Sequence, residues 1–252
     1  MAHSNALMAS LSSGDLAALR PHLKNVELKQ KQVLFEVGDT IRAIYFPTTT
    51  VISLIVILST GEMIEAAMVG RDGVLGASSS LDGKLSLSRA MVQLTGEALV
   101  CEPGALKDAA LQSPSLLSLF IRHEQVLYAQ AQQSTACMAA HDIQSRLCRW
   151  LLRARDLSGG DSLPFTQEFL AQMLGVRRTS VTAVALILQQ AGLIKYSRGK
   201  IQILNAEGLR DASCECYEAV KSHYGRLAAG EMASDAAASD IGREHTPVVG
   251  KF

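Results

Sequence analysis

Arg177-Arg178-Thr179-Ser180 is the cluster of this sequence best suited to contact phosphates and the edges of bases. Arginine can pair bidentately with O6 and N7 of guanine, and serine and threonine hydroxyls suit phosphates or base edges. The four residues open a helical pattern, and Thr182 lies on the same outer face. Side chains at the N-terminal end of a recognition helix point into the major groove. The cluster therefore predicts that these five residues contact double-stranded DNA.

Two helical patterns around Gly175 position this cluster. Thr166 is suited to cap the first helix, and Gly175 can adopt the positive φ that a sharp corner requires. In the second helix, apolar residues recur at i, i+3, i+4 and i+7, at Val181, Val184, Ala185 and Leu188. This spacing buries one face and leaves the arginines on the other. The pattern predicts a helix-turn-helix.

A basic hairpin is predicted directly after the second helix, with Lys195, Arg198 and Lys200 in or beside its two strands. Between residues 165 and 205 there are five Lys or Arg and one acid, a local charge of +4, whereas the whole chain sums to zero. This asymmetry favours a surface for nucleic acid. Together the elements predict a winged helix-turn-helix. The alternative from the pattern alone is a plain helical hairpin with a solvated basic face.

Length and composition set the broad class of the protein. The chain has 252 residues, which is long enough for two domains. Its composition, 48% hydrophobic and 19% charged, is typical of a globular protein. No signal peptide is expected, and the longest apolar run, residues 51–58, is too short to span a membrane. Five cysteines without framework spacing indicate a reducing cytoplasm. Cys214 and Cys216 lack a second pair or a histidine cluster in the sequence, so no metal site is predicted.

The first 112 residues are predicted to form an antiparallel β-roll, or jelly-roll. Short strand-like runs alternate there with glycine-containing turns, among them Asp82-Gly83. The predicted strands are 41–46, 51–58, 63–69, 89–94 and 98–101. A short helical segment precedes them. Such a roll can hold one small ligand between its sheets, so residues 1–112 are assigned as a sensor domain.

Residues 113–141 are predicted to form a long central helix followed by a hinge at 139–141. Its seam has steps of three and four residues, typical of a coiled coil, and consists of Leu116, Leu119, Phe120, His123, Val126, Leu127, Gln130 and Ser134. We interpret this helix as a dimer axis. The alternative is an amphipathic helix that packs on its own β-roll. Residues 142–227 form the predicted DNA-binding domain, and residues 228–252 are predicted to be a disordered tail.

The order of these elements resembles the Crp/Fnr family of bacterial transcription regulators. The resemblance is carried by residues 34–38 (LFEVG), by 142–152 (DIQSRLCRWLL) and by 175–181 (GVRRTSV). It implies an α+β fold and a homodimer that binds double-stranded DNA, with RNA polymerase as a further partner. The family's base-contacting arginine corresponds to Arg178. Arg177 and Ala183 depart from the best-known members, which implies a different target sequence.

The same resemblance identifies candidate residues for an effector pocket. The family's cyclic-nucleotide pocket uses a Gly-Glu pair and an Arg-Ser pair, where this chain has Gly76-Ala77 and Ser88-Arg89. A central-helix position that meets the nucleotide corresponds to Gln132. The missing carboxylate argues against cyclic AMP, because a ribose hydroxyl would lose its acceptor. The absence of cysteine before Cys101 argues against the family's iron-sulfur cluster. The effector itself is not identified by the sequence.

The leading hypothesis is thus a sequence-specific, homodimeric transcription regulator whose DNA affinity is controlled at the β-roll. A different class is a ligand-sensing or scaffold protein whose helix-turn-helix contacts other proteins. An enzyme built on the β-roll is not expected, because its predicted strands contain no histidine and no His-x-His pair.

Overall fold

The structure is a computed structural model, described here for residues 5–81 and 84–230. It consists of an N-terminal antiparallel β-roll, a long helix and a C-terminal winged helix-turn-helix, so the predicted fold class is confirmed. The predicted turn at Asp82-Gly83 lies outside the described residues. Residues 231–252 of the predicted disordered tail (228–252) also lie outside them, whereas Ala228 is the last residue of a helix. None of the helices in the described ranges combines the length and apolar content needed to cross a membrane.

Seven strands form the β-roll as two antiparallel sheets. They are β1 (Lys24–Leu28), β2 (Val33–Phe35), β3 (Ile44–Pro47), β4 (Val51–Ile57), β5 (Met63–Val69), β6 (Arg89–Leu94) and β7 (Gly96–Cys101). One sheet has the order β1-β7-β3 and the other β2-β6-β4-β5. β5 and β6 have the predicted bounds, whereas β1 and β2 were not predicted. Both are short, and β1 has only one buried residue, Leu28, so it lacks a clear alternating pattern.

Nine α-helices occur in the described ranges. They are α1 (Ala6–Ala9), α2 (Ser13–Leu19), α3 (Pro103–Gln112), α4 (Pro114–Ala140), α5 (Ile143–Ser158), α6 (Gln167–Leu174), α7 (Arg178–Gln190), α8 (Ala206–Asp211) and α9 (Cys216–Ala228). Only His141 and Asp142 separate α4 from α5. The Asp142 side chain caps α5 by accepting the backbone N–H of Ser145 at 2.9 Å. The chain therefore turns abruptly after its longest helix.

The predicted dimer seam of α4 is buried inside the protomer. Seven of its eight residues are buried and Leu127 is half-buried, because they pack against the β-roll and against α9 of the same chain. His123 illustrates this: its Nε2 accepts the backbone N–H of Val74 at 3.1 Å, and its ring packs edge-on against Tyr224. Burial lowers the pKa of His123 to about 4, so the imidazole is neutral. The assignment of these eight residues to a dimer contact is wrong.

A continuous core joins the β-roll to the DNA-binding region through α5. Trp150 of α5 packs edge-on against Phe165, with ring centroids 4.9 Å apart. Its indole N–H donates to Glu65 of β5 at 2.8 Å. A second link is the ion pair between Arg153 of α5 and Asp72, at 2.6 Å. The two halves are therefore in direct apolar and polar contact.

Candidate nucleic-acid interface

The first helix of the helix-turn-helix begins and ends where the sequence predicts, and the second begins directly after Arg177. The Thr166 hydroxyl accepts the backbone N–H of Phe169 at 3.1 Å and caps α6. Gly175 follows α6 with φ of +62°, the left-handed conformation that glycine adopts without strain. Arg177 occupies the N-cap of α7 and makes no side-chain cap hydrogen bond. The first amides of α7 therefore have no side-chain acceptor at the cap.

Five basic side chains lie exposed along the recognition helix and the hairpin: Arg177, Arg178, Lys195, Arg198 and Lys200. None of them forms an ion pair within the described residues. Some arginines elsewhere in the described residues do pair with acids, as Arg89 does with Glu36 at 2.7 Å. A group of unpaired cations next to a helix N-terminus attracts phosphates both by charge and by the helix dipole.

The polar side chains of α7 have different environments. Thr179 is exposed and Ser180 is half-buried at the predicted interface. Thr182 instead donates its hydroxyl to Gln167 Oε1 at 2.7 Å, which ties α7 to α6. Its main observed contact is therefore within the helix-turn-helix. Sequence spacing placed Thr182 on the outer face but gave no sign of this partner.

The hairpin after α7 is a wing of three strands. β9 (Ile194–Ser197) and β10 (Lys200–Ile203) pair with each other, and β10 also pairs with β8 (Ser162–Leu163), a strand that was not predicted. Tyr196 connects the wing to both helices: its N–H donates to Gln189 at 2.9 Å, and its hydroxyl accepts the N–H of Gln167 at 3.3 Å. The wing thus holds its basic residues in a fixed relation to α7.

The tip of the wing is a tight turn with Arg198 at φ +49° and Gly199 at φ +77°. Two successive positive φ values are typical of a type I′ turn, for which Asn-Gly is favoured. Arginine is disfavoured energetically in this conformation. Its presence at the tip places a cation at the most protruding point of the hairpin.

Arg198→Asn should separate the two roles of this position. We expect the free energy of unfolding to rise by roughly 0.5 kcal/mol, because asparagine tolerates the left-handed region better. DNA affinity should fall at the same time, since an exposed cation available to contact a phosphate is removed. Urea unfolding and fluorescence anisotropy with labelled DNA measure the two quantities. A loss of stability together with unchanged DNA affinity would contradict this role for Arg198.

A cleft separates the start of the recognition helix from the β4–β5 hairpin of the β-roll. Its walls are residues 60–64 on one side and Gly175, Val176, Arg177 and Arg178 on the other. The approach is close, because a Cβ at Gly175 would lie 3.2 Å from Cδ1 of Ile64. The β-roll therefore lies directly beside the end of α7 that carries the arginines.

The predicted effector residues have other partners or roles. Arg89 is held by Glu36, at 2.7 and 2.9 Å, and its Nη1 donates to the sulfur of Met63 at 3.3 Å. Gly76 has φ of +85°, and a Cβ there would lie 3.1 Å from Ile41. The other three candidates are Ala77, which is buried, Ser88, which is half-buried, and Gln132, which is exposed on α4. Arg89, the one candidate anion ligand, already has a carboxylate partner.

A cluster that the sequence did not predict lies at the hinge. The ligand atoms of Cys137, His141, Cys214 and Cys216 all lie within 4.8 Å of one another. The expectation that Cys214 and Cys216 have no further ligands beside them is wrong, because α9 packs along α4 and brings Cys137 and His141 to them. The available signal was the i, i+4 spacing of Cys137 and His141, which places two ligands on one helix face.

Comparisons with known proteins agree with this architecture. The family model described as "Crp-like helix-turn-helix domain" matches residues 145–212. A global nitrogen regulator of Synechococcus elongatus is 24% identical over 221 residues, which cover 83% of this chain and 97% of the relative. The corresponding regulator of Synechocystis is 23% identical over 189 residues, or 71% of this chain and 84% of that protein.

A solved structure extends the likeness to the fold of both halves. FixK2 from Bradyrhizobium japonicum superposes with a TM-score of 0.65 at 14% identity, and the match covers 76% of this chain and 98% of that one. At this identity the match shows the fold. The matched domain and the regulator relatives identify the chain as a DNA-binding transcription regulator that contains a Crp-like helix-turn-helix domain.

Proposed function

We propose that the protein acts as a homodimer that reads a two-fold symmetric DNA site, and that its affinity for this site is set by contacts between the β-roll and the DNA-binding region. The observation that carries the proposal is the set of five exposed cations without ion pairs on α7 and the wing, of which Arg177 and Arg178 lie beside the β4–β5 hairpin. Arg178 is assigned to base readout and Arg177 to an added phosphate or base contact. Thr179, Ser180, Lys195, Arg198 and Lys200 are assigned to the surrounding contacts.

Selection of bound sequences from a random double-stranded DNA pool tests this proposal with the full chain. We expect a palindromic motif with half-sites one helical turn apart, about 34 Å. The logarithm of the affinity for the selected site should also fall linearly with log salt. Enrichment of no motif, together with salt-independent binding, would support the protein-contact class instead. Repeating the selection with candidate small molecules tests control by an effector.

We propose that the dimer seam lies on the other face of α4, because the predicted seam is buried within the protomer. A second set of residues with steps of four and three lies on this face: Leu117, Ile121, Glu124, Tyr128, Ala131, Thr135 and Met138. Ile121 is 45% and Tyr128 67% exposed, although both are large and largely apolar. We propose that this seam packs against the same seam of a second protomer. Its alternating steps of four and three residues are the spacing of a two-helix coiled coil.

Ile121→Glu is expected to raise the dissociation constant of the dimer at least tenfold. In a two-fold interface the substitution places two unpaired carboxylates in an apolar seam, where burial of a charge is costly. Sedimentation at several protein concentrations measures the dissociation constant. Leu111→Glu is the matched control, since Leu111 is 71% exposed but lies on α3. Equal dissociation constants for both variants would exclude this seam.

Coupling between the two halves is proposed to pass through α5. Trp150 and Arg153 of this helix bind Glu65 and Asp72 of the β-roll, and the helix follows α4 after two residues. A signal that changes the packing of β5 would therefore act on α5 and on the helix-turn-helix that packs against it. RNA polymerase is proposed as a further partner through the family likeness alone.

A further inference from the structure

We propose that Cys137, His141, Cys214 and Cys216 bind one zinc ion, which fixes the hinge after α4 to the start of α9. Three thiols and one imidazole form a donor set used by structural zinc sites. Four protein ligands complete a tetrahedron and leave no position for a substrate. The site is therefore structural and not catalytic.

The spacing of the ligand atoms fits a single ion. Cys137 Sγ lies 3.6 Å from Cys214 Sγ, and Cys216 Sγ lies 3.6 Å from Nδ1 of His141. A tetrahedral ion with Zn–S bonds of about 2.3 Å and a Zn–N bond of about 2.0 Å places its ligand atoms about 3.5–3.8 Å apart. An iron-sulfur cluster would divide the four ligands between at least two iron atoms, so that ligands on different irons lie farther apart.

A second group of contacts orients the ligands as in metal sites. Nε2 of His141 lies 3.2 Å from a carboxylate oxygen of Glu215, so the other ring nitrogen, Nδ1, can face the ion without its proton. Histidine ligands commonly donate their second N–H to a carboxylate in this way. The side-chain amide of Gln133 donates to Cys216 Sγ at 3.0 Å. Both contacts remain compatible with metal binding.

Burial makes the four groups unfavourable as an unoccupied cluster. All three cysteines are buried, and His141 is half-buried. Zinc binding replaces the thiol protons, and the cation then stabilises the thiolates that burial disfavours.

The position of the site gives it a structural consequence. Cys137 lies in the last turn of α4 and His141 is the residue that ends the helix, whereas Cys214 and Cys216 lie at the turn into α9. The ion would connect segments about 75 residues apart in sequence, as the contact between His141 and Cys216 shows. It would hold the C-terminal helix on the central helix at the point where the chain turns into α5.

Elemental analysis of the full chain, purified under reducing conditions, tests the proposal without DNA. We expect one zinc per chain, and cobalt substitution should give thiolate charge-transfer absorption with the intense d–d bands of a tetrahedral site. Cys216→Ser should lose the metal, and Cys101→Ser, which changes a buried cysteine outside the cluster, should keep it. Metal in neither wild type nor control, or equal metal in Cys216→Ser, would overturn the proposal.

Glu215→Gln is a second variant, chosen because Cys216→Ser could lose the metal simply by failing to fold. The Glu215 side chain is 76% exposed, so the substitution should leave the helical circular dichroism unchanged. Zinc affinity, measured by competition with a chromophoric chelator, should fall about 10- to 100-fold because the histidine loses its carboxylate partner. Unchanged affinity in this variant would refute the assigned role of His141. A Cys137–Cys214 disulfide without metal, found by mass spectrometry, would refute the whole site.

Discussion

Arg178→Ala is expected to weaken binding to the selected DNA site by about 30-fold to about 10⁴-fold. A bidentate arginine–guanine pair contributes about 1–3 kcal/mol of discrimination, and a homodimer loses two such pairs. Arg178 is suited to this role because it begins α7, is exposed and has no ion-pair partner within the described residues. Affinity for random DNA should fall much less, since the exposed cations of the wing would remain available to phosphates.

Anisotropy titrations with the selected site and with a scrambled duplex measure this difference. Gln190→Ala, at the exposed C-terminal end of α7, is the matched control and should bind like the wild type. Lys200→Ala should weaken both duplexes alike and reduce the salt slope by about 1 for each phosphate that the lysine no longer neutralises. If Arg178→Ala weakened both duplexes equally, Arg178 would bind a phosphate and would not be the base reader.

In the wild type, titration of Glu65 is expected to change the free energy of unfolding by roughly 3 kcal/mol between low and high pH, and Glu65→Gln should abolish this change. The figure converts the rise in the pKa of Glu65 at about 1.4 kcal/mol per pKa unit. Glu65 is buried and accepts hydrogen bonds from Ser53 at 2.6 Å and from Trp150 at 2.8 Å. Burial raises its pKa from 4.5 to about 7, against the opposing effect of these bonds and of Arg149 and Arg153.

The direction of the effect follows from proton uptake. Below pH 4.5 the carboxyl is protonated in both the folded and the unfolded chain. Between pH 4.5 and about 7 the unfolded chain has lost this proton while the folded protein retains it. The free energy of unfolding therefore falls as the pH rises through this window and levels off above it.

Urea unfolding of wild type and Glu65→Gln between pH 5 and 8 measures the effect. Glutamine can still accept the indole N–H and can donate to the Ser53 hydroxyl, so the variant should match the wild type near pH 5. At pH 8 it should be more stable by about 1–3 kcal/mol, because no buried charge is formed. Glu62→Gln changes an exposed carboxylate of the same hairpin and should retain the wild-type profile. Parallel profiles for all three proteins would exclude Glu65 as the titrating group.

The recognition helix and wing could be predicted from sequence because local signals determine them. A capping threonine, a corner glycine and apolar residues at helical spacing act within a few residues of one another. α3 was not predicted, because the local signal at its start is ambiguous. Glu102-Pro103-Gly104 has the composition of a turn, although proline is also favoured in the first turn of a helix.

The two features of α4 that were misjudged depend on distant parts of the chain. The helix has two possible seams, and the more apolar one was assigned to a dimer although the β-roll and α9 of the same protomer cover it. The ligands at the hinge were missed because Cys137 and Cys214 are far apart in sequence and only the packing of α9 brings them together. Periodicity indicates which face is apolar but not what covers it.

His141 and Asp142, the two residues between α4 and α5, set the direction of α5 relative to α4. The 16 residues of α5 extend about 24 Å, at about 1.5 Å per residue. A change of about 10° at these two residues would displace the far end by about 4 Å, whereas a hydrogen bond to a base tolerates only about 0.5 Å of variation in length. In the proposed dimer, the angle held at His141 and Asp142 would therefore decide whether the two recognition helices match the helical pitch of one duplex.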